Sequence, residues 1–206
     1  MNKYFLPLLT LCIIACSVYA QCEKEEFYAN GKLKAKGSCL NGLKEGRWEY
    51  FDLKGTLIAE EHYTAGLLNG TAVYYDEKGN IASKENWKNG MQEDSAFYYY
   101  PNGALKRKGV YRNGLYEGMW YTYHENGKIK NFGNYQLGDP HGLWCFYSPK
   151  GIIEMKALYV YGKKKGPATL YDKKGRVWQQ GDFLDDKKSG VWKIYKNGKF
   201  KYEEKY

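Results

Sequence analysis

The stretch Tyr111–Ile129 reads YRNGLYEGMWYTYHENGKI and contains three glycines, at positions 114, 118 and 127. Each glycine recurs along the chain at intervals of 24 residues, which is the spacing of a tandem repeat. The three series are Gly31, Gly55, Gly79, Gly103, Gly127, Gly151, Gly175 and, after 23 residues, Gly198; Gly42, Gly66, Gly90, Gly114, Gly138 and Gly162; and Gly46, Gly70, Gly118, Gly142, Gly166 and Gly190. Asp186 replaces the next glycine of the second series, and Asp94 replaces one glycine of the third.

Each unit has the pattern of a β-hairpin. Four residues before the first glycine stands an aromatic residue, as at Tyr123, and two residues after it an apolar residue, as at Ile129. Six residues further on is another ring, as at Tyr135. These columns share parity, so on strands we expect them to line one face. About eight such units predict an all-β protein, an elongated single-layer antiparallel meander of β-hairpins, in which stacked rings supply the core.

Composition supports this class. With 22 tyrosines and 24 glycines among 206 residues, the chain is a poor candidate for a helical bundle. Its 17% aromatic content also excludes a disordered chain.

Residues 121–129 and 111–120 resemble the MORN-repeat variant found in bacterial proteins labelled as YwqK-type antitoxins. The resemblance covers roughly residues 27–206. It implies an elongated scaffold that holds other proteins, and some arrays of this kind are linked to lipids. The antitoxin label implies a toxin as partner.

The first 20 residues have the features of a signal peptide. Lys3 precedes an apolar stretch that is too short to span a bilayer, and Val18-Tyr19-Ala20 fits a cleavage site. An alternative is a lipoprotein box that ends at Cys16, which would then carry the lipid. Both predict an exported chain, in the periplasm, secreted or associated with the envelope, with the repeat array over residues 21–206 and no transmembrane helix after cleavage.

Export permits disulfides. Cys22 and Cys39 flank the first repeat, so we expect a bridge between them at the N-terminal end. Cys145 lies between two aromatic residues and is interpreted as a small packed residue. The sequence has no cysteine or histidine spacing typical of a metal site, and we expect no metal and no cofactor.

A set of rings in the first strand of each unit admits two interpretations. They pack over glycines of adjacent hairpins, where only glycine leaves room, or they form an exposed stripe that binds a protein or stacks on sugars. The residues of this candidate binding stripe are Trp48, Tyr98, Trp120, Trp144, Phe146 and Trp192.

The formal net charge is +9, and lysines concentrate at residues 163–165, 173–174 and 187–188. They are interpreted either as solvated turn residues or as a patch that attracts anionic lipid, acidic glycan or nucleic acid. Export makes nucleic acid an unsuitable partner.

We found no catalytic motif, and the three histidines fall in different columns of different units. We therefore expect no enzyme and no catalytic residues. The predicted function is an exported, non-enzymatic scaffold for protein–protein interaction. The alternatives are a module that binds envelope glycan or anionic lipid, and an antitoxin-like inhibitor of a secreted toxin.

Overall fold

The computed structural model describes residues 21–206, and the predicted signal peptide and Cys16 lie outside this range. The described residues form 17 β-strands in one sheet and contain no helix. The prediction of an all-β antiparallel array is thus confirmed. The strands are β1 (Gln21–Phe27), β2 (Leu33–Leu40), β3 (Leu43–Phe51), β4 (Leu57–Thr64), β5 (Leu67–Leu68), β6 (Gly70–Tyr75), β7 (Ile81–Lys88), β8 (Met91–Tyr99), β9 (Leu105–Arg112), β10 (Leu115–Tyr123), β11 (Ile129–Gln136), β12 (Asp139–Tyr147), β13 (Ile153–Val160), β14 (Lys163–Tyr171), β15 (Val177–Leu184), β16 (Lys187–Lys196) and β17 (Lys199–Lys205).

Every strand except β5 pairs with the next full strand along the chain, which makes the sheet a meander. The short β5 and β6 together take the place of one strand, since both pair with β4. Because the connections alternate between the two ends of the strands, the sheet has two long rims. One rim carries two-residue loops such as Asn41-Gly42, and the other carries four-residue turns such as Asp52–Gly55. We call them the loop rim and the turn rim.

The loop rim has the backbone that tight hairpins require. Asn41 and Gly42 have φ angles of 51° and 81°, so both residues are left-handed, as in a type I′ turn. On the turn rim, by contrast, most turns have a single residue with a left-handed backbone conformation, the glycine. At Asn102-Gly103 and Asn126-Gly127 only the glycine has positive φ, so these pairs do not form two-residue loops of this type. Asn197-Gly198 does form one, with φ angles of 56° and 77°.

A β-bulge in every unit changes which residues share a face. In the second unit, Tyr50 is opposite Ala59 but Phe51 is opposite Leu57, so one residue is left over. The extra residue reverses the alternation. Tyr63 therefore shares a face with Trp48, whereas the Phe51 ring lies 5.6 Å from Lys36 Nζ on the opposite face. The predicted alignment of all three columns on one face is wrong for this reason. We call the two surfaces the tryptophan face and the back face.

Candidate functional site

The tryptophans of the predicted binding stripe are buried. Trp48 and Trp192 are fully buried, and Trp120 and Trp144 are 2% and 6% exposed. Each ring covers a glycine on the preceding strand, and a β-carbon there would overlap the indole; the four pairs are Gly37–Trp48, Gly109–Trp120, Gly133–Trp144 and Gly181–Trp192. The interpretation that these rings pack over glycines of adjacent hairpins is therefore confirmed and the exposed-stripe interpretation is wrong for them, because the absent side chain of glycine provides the space that the indole fills.

Hydrogen bonds fix the indole rings in this position. Trp48 Nε1 donates to the carbonyl of Ser38 at 2.8 Å, and Trp120 Nε1 donates to that of Val110 at 3.0 Å. Trp144 and Trp192 repeat the arrangement with the residues ten positions earlier. A buried indole N–H that is satisfied in this way has no donor to offer a ligand.

The other two residues of the predicted stripe belong to the same layer. Tyr98 is half-buried, and its hydroxyl lies 3.1 Å from that of Tyr111. Phe146 is also half-buried and stacks on Trp144, with ring centroids 6.1 Å apart. All six residues thus act first as the core of a sheet that has no second layer.

Two units replace the glycine–tryptophan pair by a glutamate–alanine pair. Glu85 is opposite Ala96, and Glu61 has the equivalent place next to Ala72. The carboxylates occupy the space that an indole fills elsewhere. The Tyr63 hydroxyl donates to Glu61 at 2.5 Å, and Gln92 donates to Glu85 at 2.7 Å. A buried carboxylate needs such donors to offset its lost hydration.

Tyrosines around Glu61 have altered acidity. Burial raises the pKa of Tyr63 to about 12, and the hydrogen bond to Glu61 adds to the effect. Burial likewise raises the pKa of Tyr50, whose hydroxyl lies 2.7 Å from that of Tyr63. These phenols stay protonated at neutral pH, so the cluster is a hydrogen-bonded part of the core.

Cations lie over the tryptophan rings. Lys44 Nζ is 4.1 Å from the Trp48 centroid, and Lys188 Nζ is 4.4 Å from that of Trp192. The Arg107 guanidinium carbon is 5.0 Å from the Trp120 centroid. Cation–π contacts of this kind stabilise a ring while the side-chain stem covers it. On the tryptophan face, these charged side chains therefore lie between the aromatic layer and the solvent.

The lysine-rich loops lie on opposite rims. Residues 163–165 and 187–188 begin β14 and β16 at the loop rim, whereas Lys173 and Lys174 belong to a turn on the other rim. Strands of about nine residues separate the two groups. The two groups therefore do not form one basic patch. In addition, Lys164 forms an ion pair with Asp186, with Nζ 3.9 Å from Oδ1.

The cysteines are placed as the sequence suggested. Cys22 and Cys39 face each other on β1 and β2 and are joined by a disulfide, with Cα atoms 5.1 Å apart. Cys145 is buried and unbridged, and burial raises the pKa of its thiol. Within residues 21–206, no group of histidine, cysteine, aspartate and glutamate side chains could hold a metal ion. This part of the chain also has no helix with the length and apolarity to cross a membrane.

One cavity of about 420 Å³ opens on the turn rim between the turns at residues 148–151 and 172–175. Ile152 and Tyr171 are among its lining residues, together with Lys150 and Asp172. At three other pairs of turns the residue equivalent to Ser148 bonds to a carbonyl of the neighbouring hairpin, as where Tyr100 donates to the carbonyl of Tyr123 at 2.8 Å. Ser148 is too short for this bond, which leaves the space open.

A group of exposed apolar residues was not recognised from the sequence. Leu137 and Tyr161 protrude from two successive loops of the loop rim, and Met119 and Leu143 lie on the back face nearby. The sequence did contain an indication, because the corresponding positions of the first units carry polar or small residues. The bulges determine which of these positions share a face, and the sequence does not reveal the bulges.

Five segments of the chain match the family described as MORN repeat variant, namely residues 23–38, 44–65, 68–89, 95–113 and 116–136. No curated protein shows a significant match.

Solved structures overlap with the chain only weakly. In the TcdB2–TccC3–Cdc42 complex, 86% of this chain aligns at 11% identity with a TM-score of 0.25. The Photorhabdus luminescens Tc holotoxin pore aligns over the same share at 13% identity and the same TM-score. The chain spans 12% of the length of each of these proteins. A porin-like protein from Bacteroides uniformis aligns over 90% of this chain and 94% of its own length, at 11% identity with a TM-score of 0.21. Overlaps at this level support no inference about function.

The five matched segments follow one another along strands β1–β11, and the units after them continue the same hairpins, bulges and glycine–tryptophan pairs. The chain is therefore a MORN-variant repeat protein, with five repeats that match the family.

Proposed function

We propose that this protein is an exported, non-enzymatic scaffold that holds one or more partner proteins along its repeat array. The observation that carries the proposal is the continuous sheet with its repeated glycine–tryptophan core. A core locked by rings seated over glycines holds exposed side chains of successive units at fixed spacing, about 10 Å for two strands. Fixed spacing lowers the entropy cost of binding a partner at several points.

The distribution of polar groups also favours binding over catalysis. The half-buried carboxylate of Glu61 and the buried carboxylate of Glu85 accept hydrogen bonds from tyrosine and glutamine within the aromatic layer. A general acid or base must reach a substrate. These groups are used for packing instead.

The scaffold proposal is tested by a cross-linked pull-down with the mature chain as bait, from the envelope of the cells that produce it, followed by mass spectrometry. A protein recovered in stoichiometric amount, and displaced by excess untagged chain, supports the scaffold. Its identity separates a general partner from a toxin, which would favour the inhibitor alternative. Recovery of wall or glycan fragments without protein would replace the scaffold by an anchoring module. Recovery of lipid alone would favour the anionic-lipid alternative.

A further inference from the structure

We propose that the scaffold, if the function above holds, binds its partner through an apolar patch on strands β10–β14, and that the partner is a protein with an apolar contact area surrounded by acidic residues. The apolar patch consists of four side chains, Met119, Leu137, Leu143 and Tyr161. They lie on the loop rim and on the adjoining part of the back face.

A comparison between units shows that the fold does not require these residues. The position of Met119 and Leu143 in the repeat is occupied by Arg47, Thr71 and Ser95 in the earlier units. The position of Leu137 and Tyr161 is occupied by Asn41, Ala65, Asn89 and Asn113, and later by Asp185. Two independent columns thus change from polar or small to large and apolar in the same part of the array.

The four side chains are open to solvent. Leu137 is 73% and Tyr161 76% exposed, and Met119 and Leu143 are 43% and 55% exposed. About half of the side chain is also exposed at Leu43, Leu67, Met91 and Leu115, which begin earlier strands on the same rim. The patch differs from this single row because two columns of the repeat are apolar on neighbouring strands, and apolar residues gathered in this way mark an interaction site.

Leu137 and Tyr161 are also held in a backbone conformation that is unfavourable for them. Their φ angles are 51° and 48°, in the left-handed region that asparagine and glycine tolerate and bulky residues avoid. Asparagine occupies the same position at three other loops with the same conformation, as at Asn89. Strained residues that contribute nothing to the core are typical of functional positions.

The strand order brings the four residues together. Met119 is opposite Asn134, and Leu143 is opposite Leu158 in the next pair, so they belong to one row across the back face. The Tyr161 ring contacts that of His141 on β12 with centroids 5.9 Å apart, which joins its loop to this face. Successive loops on the rim are separated by two strands, about 10 Å.

Charge indicates the partner's chemistry. Residues 137–206 contain 15 lysines and arginines against 8 acidic residues, whereas residues 21–136 contain 16 against 15. The patch lies at the start of the basic part, and exposed Lys163 and Lys165 directly follow Tyr161. Glu117 accepts a hydrogen bond from the Leu137 N–H, so its charge is partly used within the loop. The exposed lysines beside Tyr161 and the positive balance of this half of the array favour a protein that presents acidic side chains around its own apolar residues.

The contact is tested first by photo-cross-linking in the cells that produce the protein. The full chain carries Tyr161→p-benzoylphenylalanine, and the matched control carries Asn89→p-benzoylphenylalanine at the same position of a polar unit. We expect one discrete adduct with an acidic protein from position 161 and none from position 89. No adduct, an equal adduct from both positions, or an adduct of two copies of this chain would overturn the proposal.

Binding is then measured between the purified chain and the identified protein. The variant Met119→Ser/Leu137→Asn/Leu143→Ser/Tyr161→Asn uses residues that other units carry at the same positions, so the fold is retained; a urea midpoint checks this. We expect the fourfold variant to bind the partner at least tenfold more weakly than the wild-type chain. The control is Val191→Ser, which should bind like the wild-type chain, because Val191 is exposed and has the same repeat position as Met119 and Leu143 but lies outside the patch.

Three results would count against the patch. Unchanged affinity in the fourfold variant would overturn the proposed binding patch. If the full chain still recovers a partner protein in that case, the scaffold function remains supported. Recovery of no protein by either method would remove both. Binding of the wild-type chain to vesicles of phosphatidylglycerol and phosphatidylethanolamine (1:3), lost in the fourfold variant, would assign the patch to a membrane surface instead.

Discussion

The indole of Trp48 occupies the place that a side chain would take at Gly37, since a β-carbon built on Gly37 would lie 2.5 Å from Cγ of Trp48. The same relationship recurs at Trp120, Trp144 and Trp192. Ring and glycine are thus one structural unit that spans two strands. This pairing explains how a sheet without a second layer obtains a dry interior.

Substitution of the covered glycine should destabilise the protein strongly. We expect Gly133→Ala to lower the free energy of unfolding by about 2–3 kcal/mol, because the added methyl group overlaps the Trp144 ring and the strands must separate. Urea unfolding followed by tryptophan fluorescence measures this. Lys130→Ala, on the exposed side of the same strand, should change the free energy by less than about 0.5 kcal/mol. Equal effects of both substitutions would contradict the packing role.

The glutamate–alanine units should be convertible to the glycine–tryptophan type. Ala96→Trp alone should destabilise the protein by about 2 kcal/mol, since Glu85 occupies the space for the indole. Adding Glu85→Gly should recover most of the loss, with a coupling energy of about 1–3 kcal/mol. A double-mutant cycle by urea unfolding gives this value. Additive effects of the two substitutions would show that the pair is not a packing unit.

Stability should fall in alkaline solution. Because the pKa of Tyr63 is about 12 in the folded chain and 10.0 is its ordinary value, the folded state holds this proton more tightly. The stabilisation is complete below pH 10 and is lost as the pH rises from 10 to 12. Urea unfolding between pH 8 and 11.5 should show a falling free energy, less steeply in Tyr63→Phe. An identical slope in the variant would mean that Tyr63 does not contribute.

Loss of the disulfide should loosen the N-terminal end of the sheet. The bond between Cys22 and Cys39 closes a 17-residue separation, for which loop-closure entropy gives about 3 kcal/mol. In Cys22→Ser/Cys39→Ser, we expect faster amide hydrogen exchange in β1 and unchanged exchange in β11, because repeat arrays transmit stability mainly between neighbours. Mass spectrometry of peptic fragments separates the two strands. Unchanged protection of β1 would count against a stabilising role.

Replacing the strained loop residues should stabilise the protein. Leu137→Asn and Tyr161→Asn should each raise the free energy of unfolding by about 0.5–1 kcal/mol, because asparagine tolerates the left-handed conformation. The reverse change Asn113→Leu, at a loop with φ of 50°, should lower it by a similar amount. Urea midpoints compare all three variants. A loss of stability in Tyr161→Asn would show that the ring contributes to folding and would weaken the argument for a binding role.

The sequence by itself determined the repeat, its 24-residue period, the hairpin and the all-β class. These follow from local rules, since glycine and asparagine permit the left-handed turns and alternating apolar residues form half-buried strands. It also determined that Cys22 and Cys39 lie close together, because one hairpin places them on paired strands.

Only the tertiary structure decided which residues are buried. The bulge between Tyr50 and Phe51 reverses the alternation in each unit, and nothing in the parity of the sequence reveals it. Cross-strand register then seats Trp120 over Gly109, eleven residues away, and so decides between the two interpretations of the candidate binding stripe in favour of packing over glycines. The same register separates Lys163 from Lys173 on opposite rims and gathers Met119 and Leu143 on one face. Burial depends on what lies opposite a side chain, and that is fixed by pairing between strands.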